Sequence, residues 1–346
     1  MKSKKKMAAN FSTFTTTLYS EMSEFNIILL VVYSVIVLIG LTGNSLGVLV
    51  VRKTTSMQTT TNLLLENVAI ADIISLSWSV TPLVTSLTGK HATGLTGNYI
   101  CKFFTGYSVT CITVAVKMSS LVVLATERYQ AIVKPLTSNL TRLGNEHVTY
   151  VIVLLWFLSA VFSLPGFIYS EYNEQLGRCL DPWTIEKVSA EKWYIITAMV
   201  LTTIFSSCLF YCYFQILKGI FISKTVCSSE IASSRRSDMK TKRKLAITSL
   251  TVTLTYIICH APFMSFQVYT TFISRQDILA NYEALYKCYR VTGAIMYVNA
   301  CLNPFLYAFQ SSNYRHNLKR IFVGRTMSDR AGRNLELVPV QHQGRF

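Results

Sequence analysis

Residues 121–135 read LVVLATERYQAIVKP, so that an acid and an arginine, Glu127 and Arg128, stand side by side at the end of a long apolar run. A charge pair at the edge of hydrocarbon is costly unless something uses it. Working outward, the run that it closes is one of seven. Runs at or near the ~18–20 residues needed to cross a bilayer cover residues 26–51, 63–87, 103–124, 147–169, 194–221, 245–272 and 284–309. With 51% hydrophobic and only 14% charged residues, the 346-residue chain is too lean in charge for two or three soluble domains. The expected fold is an all-α membrane protein: a seven-transmembrane helix bundle over 26–309, preceded by an extracellular amino-terminal tail (1–25) and followed by a short amphipathic helix and cytoplasmic tail (310–346).

Orientation follows from the lysines and arginines beside the span ends. Lys218, Lys224, Arg235, Arg236, Lys240, Lys242, Arg243 and Lys244 follow the fifth run, and Arg315, Lys319, Arg320 and Arg325 follow the seventh. Those segments are expected inside, which puts the amino terminus outside. Lys2, Lys4, Lys5 and Lys6 point the other way, but they lie far from the first run, whereas Arg52 and Lys53 flank its inner end. The net charge of +16 thus gathers at the inner membrane face, where anionic lipid is a simpler partner than nucleic acid. Without zinc-type cysteine spacing or a phosphate-cradling glycine loop, no metal or cofactor is expected.

Short motifs fall in order on these runs. The first has GLTGNSLGVLVV with Gly43 and Asn44, the second NLLLENVAIAD ending at Asp72, and the third closes on Glu127-Arg128-Tyr129. The fourth carries Trp156 and Pro165, the sixth CHAP with Pro262, and the seventh NACLNPFLYAF with Asn303, Pro304 and Tyr307. Taken together the chain resembles the rhodopsin-like G-protein-coupled receptors, from the first run to the amphipathic SSNYRHNLKRIF after the seventh. The resemblance implies that Arg128 pairs with Glu127 at rest and is freed on activation, opening a cytoplasmic cleft for a heterotrimeric G protein. It implies that Tyr307 swings inward, toward Tyr213. Pro304 frees a carbonyl inside the bundle and allows a kink there. It also implies a disulfide between Cys101 and Cys179, on the oxidising outer side. Asn10-Phe11-Ser12 is a glycosylation sequon on that side.

Four positions depart from the family pattern: the fifth run lacks the usual proline near Phe205, the sixth begins with Lys242 in place of an acid that can restrain Arg128, and the other two carry titratable groups inside the bundle. Lys117 lies eleven residues before Arg128, where the family usually has a serine that helps the Asp72 equivalent hold sodium. An unpaired ammonium in hydrocarbon would lose its proton or destabilise the fold, so an internal ion pair with Asp72 is expected; a lysine reaching for the headgroups is the competing reading. His260 stands where the family has tryptophan, two residues before Pro262. It is read either as a titrating switch or as a satisfied interior residue.

Thr110, in place of the amine receptors' aspartate, and Tyr297, in place of the retinal lysine, argue against amine and retinal ligands. The outer halves of three runs supply Tyr107, Phe263, Met264, Phe266, Gln267, Tyr269, Tyr289, Arg290 and Met296, an aromatic wall suited to a peptide. The loop at 170–193 is slightly acidic, which would favour a basic ligand weakly. The peptide-receptor branch is closest in look. The expected function is ligand-driven activation of a G protein at the plasma membrane, with no covalent chemistry. A transporter, marked by paired broken helices and several acids on one path, and a non-coupling receptor-like scaffold are the alternatives.

Overall fold

A computed structural model describes the backbone of residues 2–88, 90–134, 143–174, 178–180, 192–226, 233–310 and 314–321; within these, side chains at 2–23, 83, 86–88, 145, 178, 220–226, 233–242 and 275 are outside the description. In chain order the elements are α1 (Lys2–Lys53), α2 (Thr60–Thr88), α3 (Gly94–Ile100), α4 (Ser108–Val133), α5 (Asn145–Tyr169), β1 (Glu171–Asn173), β2 (Arg178–Leu180), α6 (Lys192–Val226), α7 (Ser233–Phe272), α8 (Arg275–Ala280) and α9 (Tyr282–Gln310). Residues 314–321 form a last short helix, α10. The expected spans correspond to α1, α2, α4, α5, α6, α7 and α9.

Among the described helices six are apolar and long enough to cross a membrane, over Glu24–Lys53, Thr60–Pro82, Gly94–Val133, Glu146–Tyr169, Lys192–Gly219 and Arg243–Phe272. The seventh, α9, is of similar length, but Asn299, Asn303 and Gln310 interrupt its apolar residues. Those polar groups face inward, so the helix is amphipathic toward the bundle. Lipid-side faces are correspondingly apolar: Phe157, Phe210 and Phe309 are all well exposed. Helical backbone begins at Lys2, without a break where the expected tail meets the first span. The Asn10 side chain lies outside the described residues.

Helix α4 is the hub, packing on α2, α5, α6 and α7, while α1 packs on α2 and α9. Polar ties fix this arrangement from inside. Asn44 Nδ2 donates to the Gly40 and Ala300 carbonyls, each at 2.8 Å, tying α1 to α9. Asn67 links three helices: its Nδ2 donates to Ser120 Oγ and its Oδ1 accepts from Trp156 Nε1, both at 2.9 Å. Gly43 permits the close approach of α1 to α9, since a Cβ there would lie 2.7 Å from the Pro304 ring. That motif glycine therefore has a packing reason.

The third run begins differently from its expected start at 103. A wide turn at Cys101–Thr105, closed by Gly106 N–H donating to the Cys101 carbonyl at 2.7 Å, separates α3 from α4. A turn of this kind takes in one more residue than an α-helical turn. Helix α4 then runs without interruption beyond 124 to Val133. The Cys101–Cys179 disulfide is present, pinning β2, which pairs antiparallel with β1, over the mouth of the bundle.

Candidate functional site

The charged and polar groups inside the bundle lie on three levels. At the inner mouth Glu127 and Arg128 form an ion pair, and both side chains are almost fully buried. Helix α4 continues for another turn past them, so the pair sits inside the protein and not at a loop junction. Tyr129 points elsewhere, its ring 6.0 Å from that of Tyr211 and 5.7 Å from the Lys134 ammonium. Tyr213 of α6 meets α7 through a 3.0 Å hydrogen bond with Thr253. Tyr307 is buried on the far side, its ring 6.3 Å from that of Tyr314 in α10, and its hydroxyl has no protein hydrogen-bond partner. Tyr213 and Tyr307 are thus anchored to different neighbours. Burial raises the pKa of the Tyr314 phenol, which keeps it a neutral hydroxyl. Between α7 and the end of α9 an inner cleft of about 260 Å³ is lined by Arg243, Lys244, Ile247, Thr248 and Gln310. Pro135, Leu136, Lys242 and Phe322 fall outside the residues whose side chains are described.

At mid-membrane Lys117 Nζ donates to Asp72 Oδ1 at 3.0 Å, with both groups buried. Asn303 Nδ2 takes the other carboxylate oxygen at 2.8 Å. The aspartate is therefore answered on both oxygens, one by charge and one by an amide. This joins α2, α4 and α9 at one point, and the ammonium is directed inward and not toward the headgroups. His260 lies nearby on α7, stacked on Tyr256 with ring centroids 3.9 Å apart. Its Nδ1 is 2.9 Å from the Tyr256 carbonyl, which can only accept; Nδ1 therefore carries the proton. Nε2 is left buried without a protein partner. Pro262 and Pro304 both lie inside continuous helices.

Above this level a cavity of about 740 Å³ opens between α4, α5, α6, α7 and α9. Of the residues expected to form the ligand wall, Tyr107, Phe263 and Tyr289 line it, together with Thr110 and Tyr297. Three do not. Tyr269 turns outward and is 57% exposed, Phe266 packs beneath Ile278 and Leu285, and Gln267 is buried in the helix packing. Successive α-helical residues turn by about 100°, so 266, 267 and 269 cannot all share the face that Phe263 presents. Met264, Arg290 and Met296 also line the cavity. Its inner part is closed by aromatic contacts: Thr110 Oγ1 meets the Tyr297 hydroxyl at 3.2 Å, and Tyr33 packs edge-on against Tyr297 at 5.7 Å. Arg290 brings a positive charge into this setting, its Nη1 donating to the Tyr286 hydroxyl at 3.3 Å and its guanidinium 5.8 Å from that ring.

Sequence reasoning did not single out Tyr33, nor the ion pair between Arg52 and Glu66 near the inner face. The second had a signal in the sequence, an acid within the apolar NLLLENVAIAD.

Comparison with known proteins adds an independent line. Residues 43–307 match the family described as 7 transmembrane receptor (rhodopsin family). The chain is 27% identical to the somatostatin receptor type 1 of Rattus norvegicus, covering 87% of this chain and 73% of that protein. It is 26% identical to the neuropeptide Y receptor type 6 of Mus musculus, over 84% and 79%. It is 28% identical to the [Phe13]-bombesin receptor of Bombina orientalis, over 84% and 74%.

Proposed function

The chain belongs to the rhodopsin family of seven-transmembrane receptors, and from that premise we propose that it binds an extracellular peptide and activates a heterotrimeric G protein at the plasma membrane. Receptors of this family are not enzymes, and neither is this chain. The observation that carries the reading is the inner one: a charge pair buried at the inner mouth of the same bundle whose outer half encloses a large aromatic cavity.

In this reading Tyr107, Thr110, Phe263, Tyr289 and Tyr297 contact the ligand, with Arg290 offering an acidic group its partner. The similarity to somatostatin, neuropeptide Y and bombesin receptors supports a peptide as the ligand class. Ligand contact at Tyr297 and Phe263 is felt at the next level down, where α9 and α7 carry Asn303 and His260. Movement of α9 loosens the link from Asn303 to Asp72 and lets Tyr307 leave its pocket for Tyr213. Arg128 then parts from Glu127 and meets the G protein, while the basic ends of α6 and α7 and the helix α10 complete the docking face. Lys117 takes the place that sodium has in the family. The cost of burying two charges is offset because each has a partner of opposite sign.

The transporter alternative has no support from the family, whose members are receptors. A scaffold that does not couple is separated by experiment. Cells expressing the full chain are exposed to secreted peptides, and second messengers are recorded. Coupling predicts that one peptide evokes a response that untransfected cells lack. Binding of a peptide with no second-messenger change, across cells supplied with each G-protein class, would establish the scaffold instead.

A further inference from the structure

Glu66 of α2 is an acid that the switch machinery above does not use. Its side chain is 2% exposed, and Arg52, at the inner end of α1, donates from Nε to Oε1. Oε2 is buried and has no protein hydrogen-bond partner. Leaving a carboxylate oxygen unanswered in the interior is costly, so such a group calls for an explanation. A second orphan is close by. A cavity of about 50 Å³ is lined by Glu66, Tyr307, Tyr314, Asn62, Thr61 and Thr248, and the Tyr307 hydroxyl is likewise buried without a protein partner. Gly47, Val51, Met57, Leu65, Ala69 and Leu245 make the rest of the lining apolar, so the polar groups converge from one part of the wall, and the space exceeds the roughly 10–15 Å³ that one water requires.

We propose that this cavity holds water bridging Tyr307 to Glu66, the tyrosine hydroxyl donating to the water and the water to Oε2. Glu66 is thereby a positioning residue: it holds Tyr307 in its resting orientation, and Arg52 holds the acid in place through their ion pair. The inference rests on the reading of Tyr307 as the moving switch. Its swing toward Tyr213 must break the bridge, so the strength of that bridge sets part of the balance between resting and active states.

The test uses the full chain in lipid nanodiscs without ligand, comparing Glu66→Leu, Glu66→Gln, Tyr307→Phe and the Glu66→Leu/Tyr307→Phe double variant. Backbone hydrogen exchange over residues 303–310 reports the hold on α9 directly, and basal nucleotide exchange on added G protein reports its consequence. Glu66→Leu raises both about five-fold, the factor that one net hydrogen bond makes in a two-state equilibrium. Glu66→Gln, which keeps the shape and can still meet water, raises them less. In the Tyr307→Phe background Glu66→Leu adds nothing. Wild-type hydrogen exchange in both Glu66→Leu and Glu66→Gln overturns the bridge, as do additive effects of Glu66→Leu and Tyr307→Phe. Should Glu66→Leu not fold, the near-isosteric Glu66→Gln decides alone. Since the hydrogen-exchange arm contains no G protein, the failure of the bridge and the failure of coupling are separate results.

Discussion

Replacing Lys117 by methionine removes the ammonium but leaves a carboxylate at a position with no solvent exposure. Asn303, at 2.8 Å, is then the one remaining donor among the described residues. Breaking a buried pair by deleting one partner costs about 3–5 kcal/mol, whereas replacing both partners by neutral groups of similar size is often close to neutral. Lys117→Met is therefore expected to lower stability by that amount, and Asp72→Asn/Lys117→Met by roughly 1 kcal/mol, so that the second substitution recovers about 2–4 kcal/mol of the loss from the first. The same geometry predicts an exchange of cations. With the ammonium gone, sodium can enter beside Asp72 and stabilise the folded state by RT ln(1 + [Na⁺]/Kd), about 1.4 kcal/mol at ten times Kd. The assay is thermal unfolding in lipid nanodiscs, in sodium chloride against choline chloride at equal ionic strength. Wild type is expected to be indifferent to the choice of cation and Lys117→Met to be stabilised by sodium. Sodium stabilisation of the wild type, or single-variant losses that simply add, would refute the ion pair as the occupant of this site.

Gly43→Leu forces a side chain into the Pro304 ring, where even a Cβ lies 2.7 Å away, and is expected to cost about 1–3 kcal/mol as overpacking, read as a lower unfolding temperature. Arg290→Gln should weaken binding of the activating peptide about ten-fold or more with surface expression unchanged, the loss expected of a charge-assisted contact; Tyr269→Ala, on the outer face, should leave binding as it was. Cys179→Ser frees β2 from the wide turn at Cys101, removing a link across a sequence separation of 78, and should lower stability by about 2–5 kcal/mol, seen as reduced surface expression.

Much of this was legible from composition and spacing, for identifiable reasons. Seven apolar runs leave few arrangements, and an ionised residue in any of them must find a partner at the same depth. That requirement joins Lys117 to Asp72 across 45 positions of sequence before any contact is known. It would have joined Glu66 to Arg52 too, had the acid in NLLLENVAIAD been weighed as a charge and not as part of a motif. Helix rotation was harder to read. Tyr269, Phe266 and Gln267 have the chemistry of a binding wall, yet α7 turns each toward lipid or core, and that choice depends on packing against α8 and α9. The wide turn at Cys101–Thr105 was also invisible, because its extra residue leaves no mark in the hydropathy pattern.

Nucleotide exchange on purified G protein, driven by the full chain in nanodiscs without ligand, bears most directly on the whole account. In the proposed reading the Glu127–Arg128 pair is the latch, and no acid on the described inner end of α7 is seen to reinforce it. Wild type should therefore show measurable basal exchange. Glu127→Gln should raise it several-fold, and Arg128→Ala, at matched folded protein, should reduce it about ten-fold or more through loss of a buried charged contact. Equal exchange in all three would contradict the claim that this arginine is what the receptor releases toward its G protein.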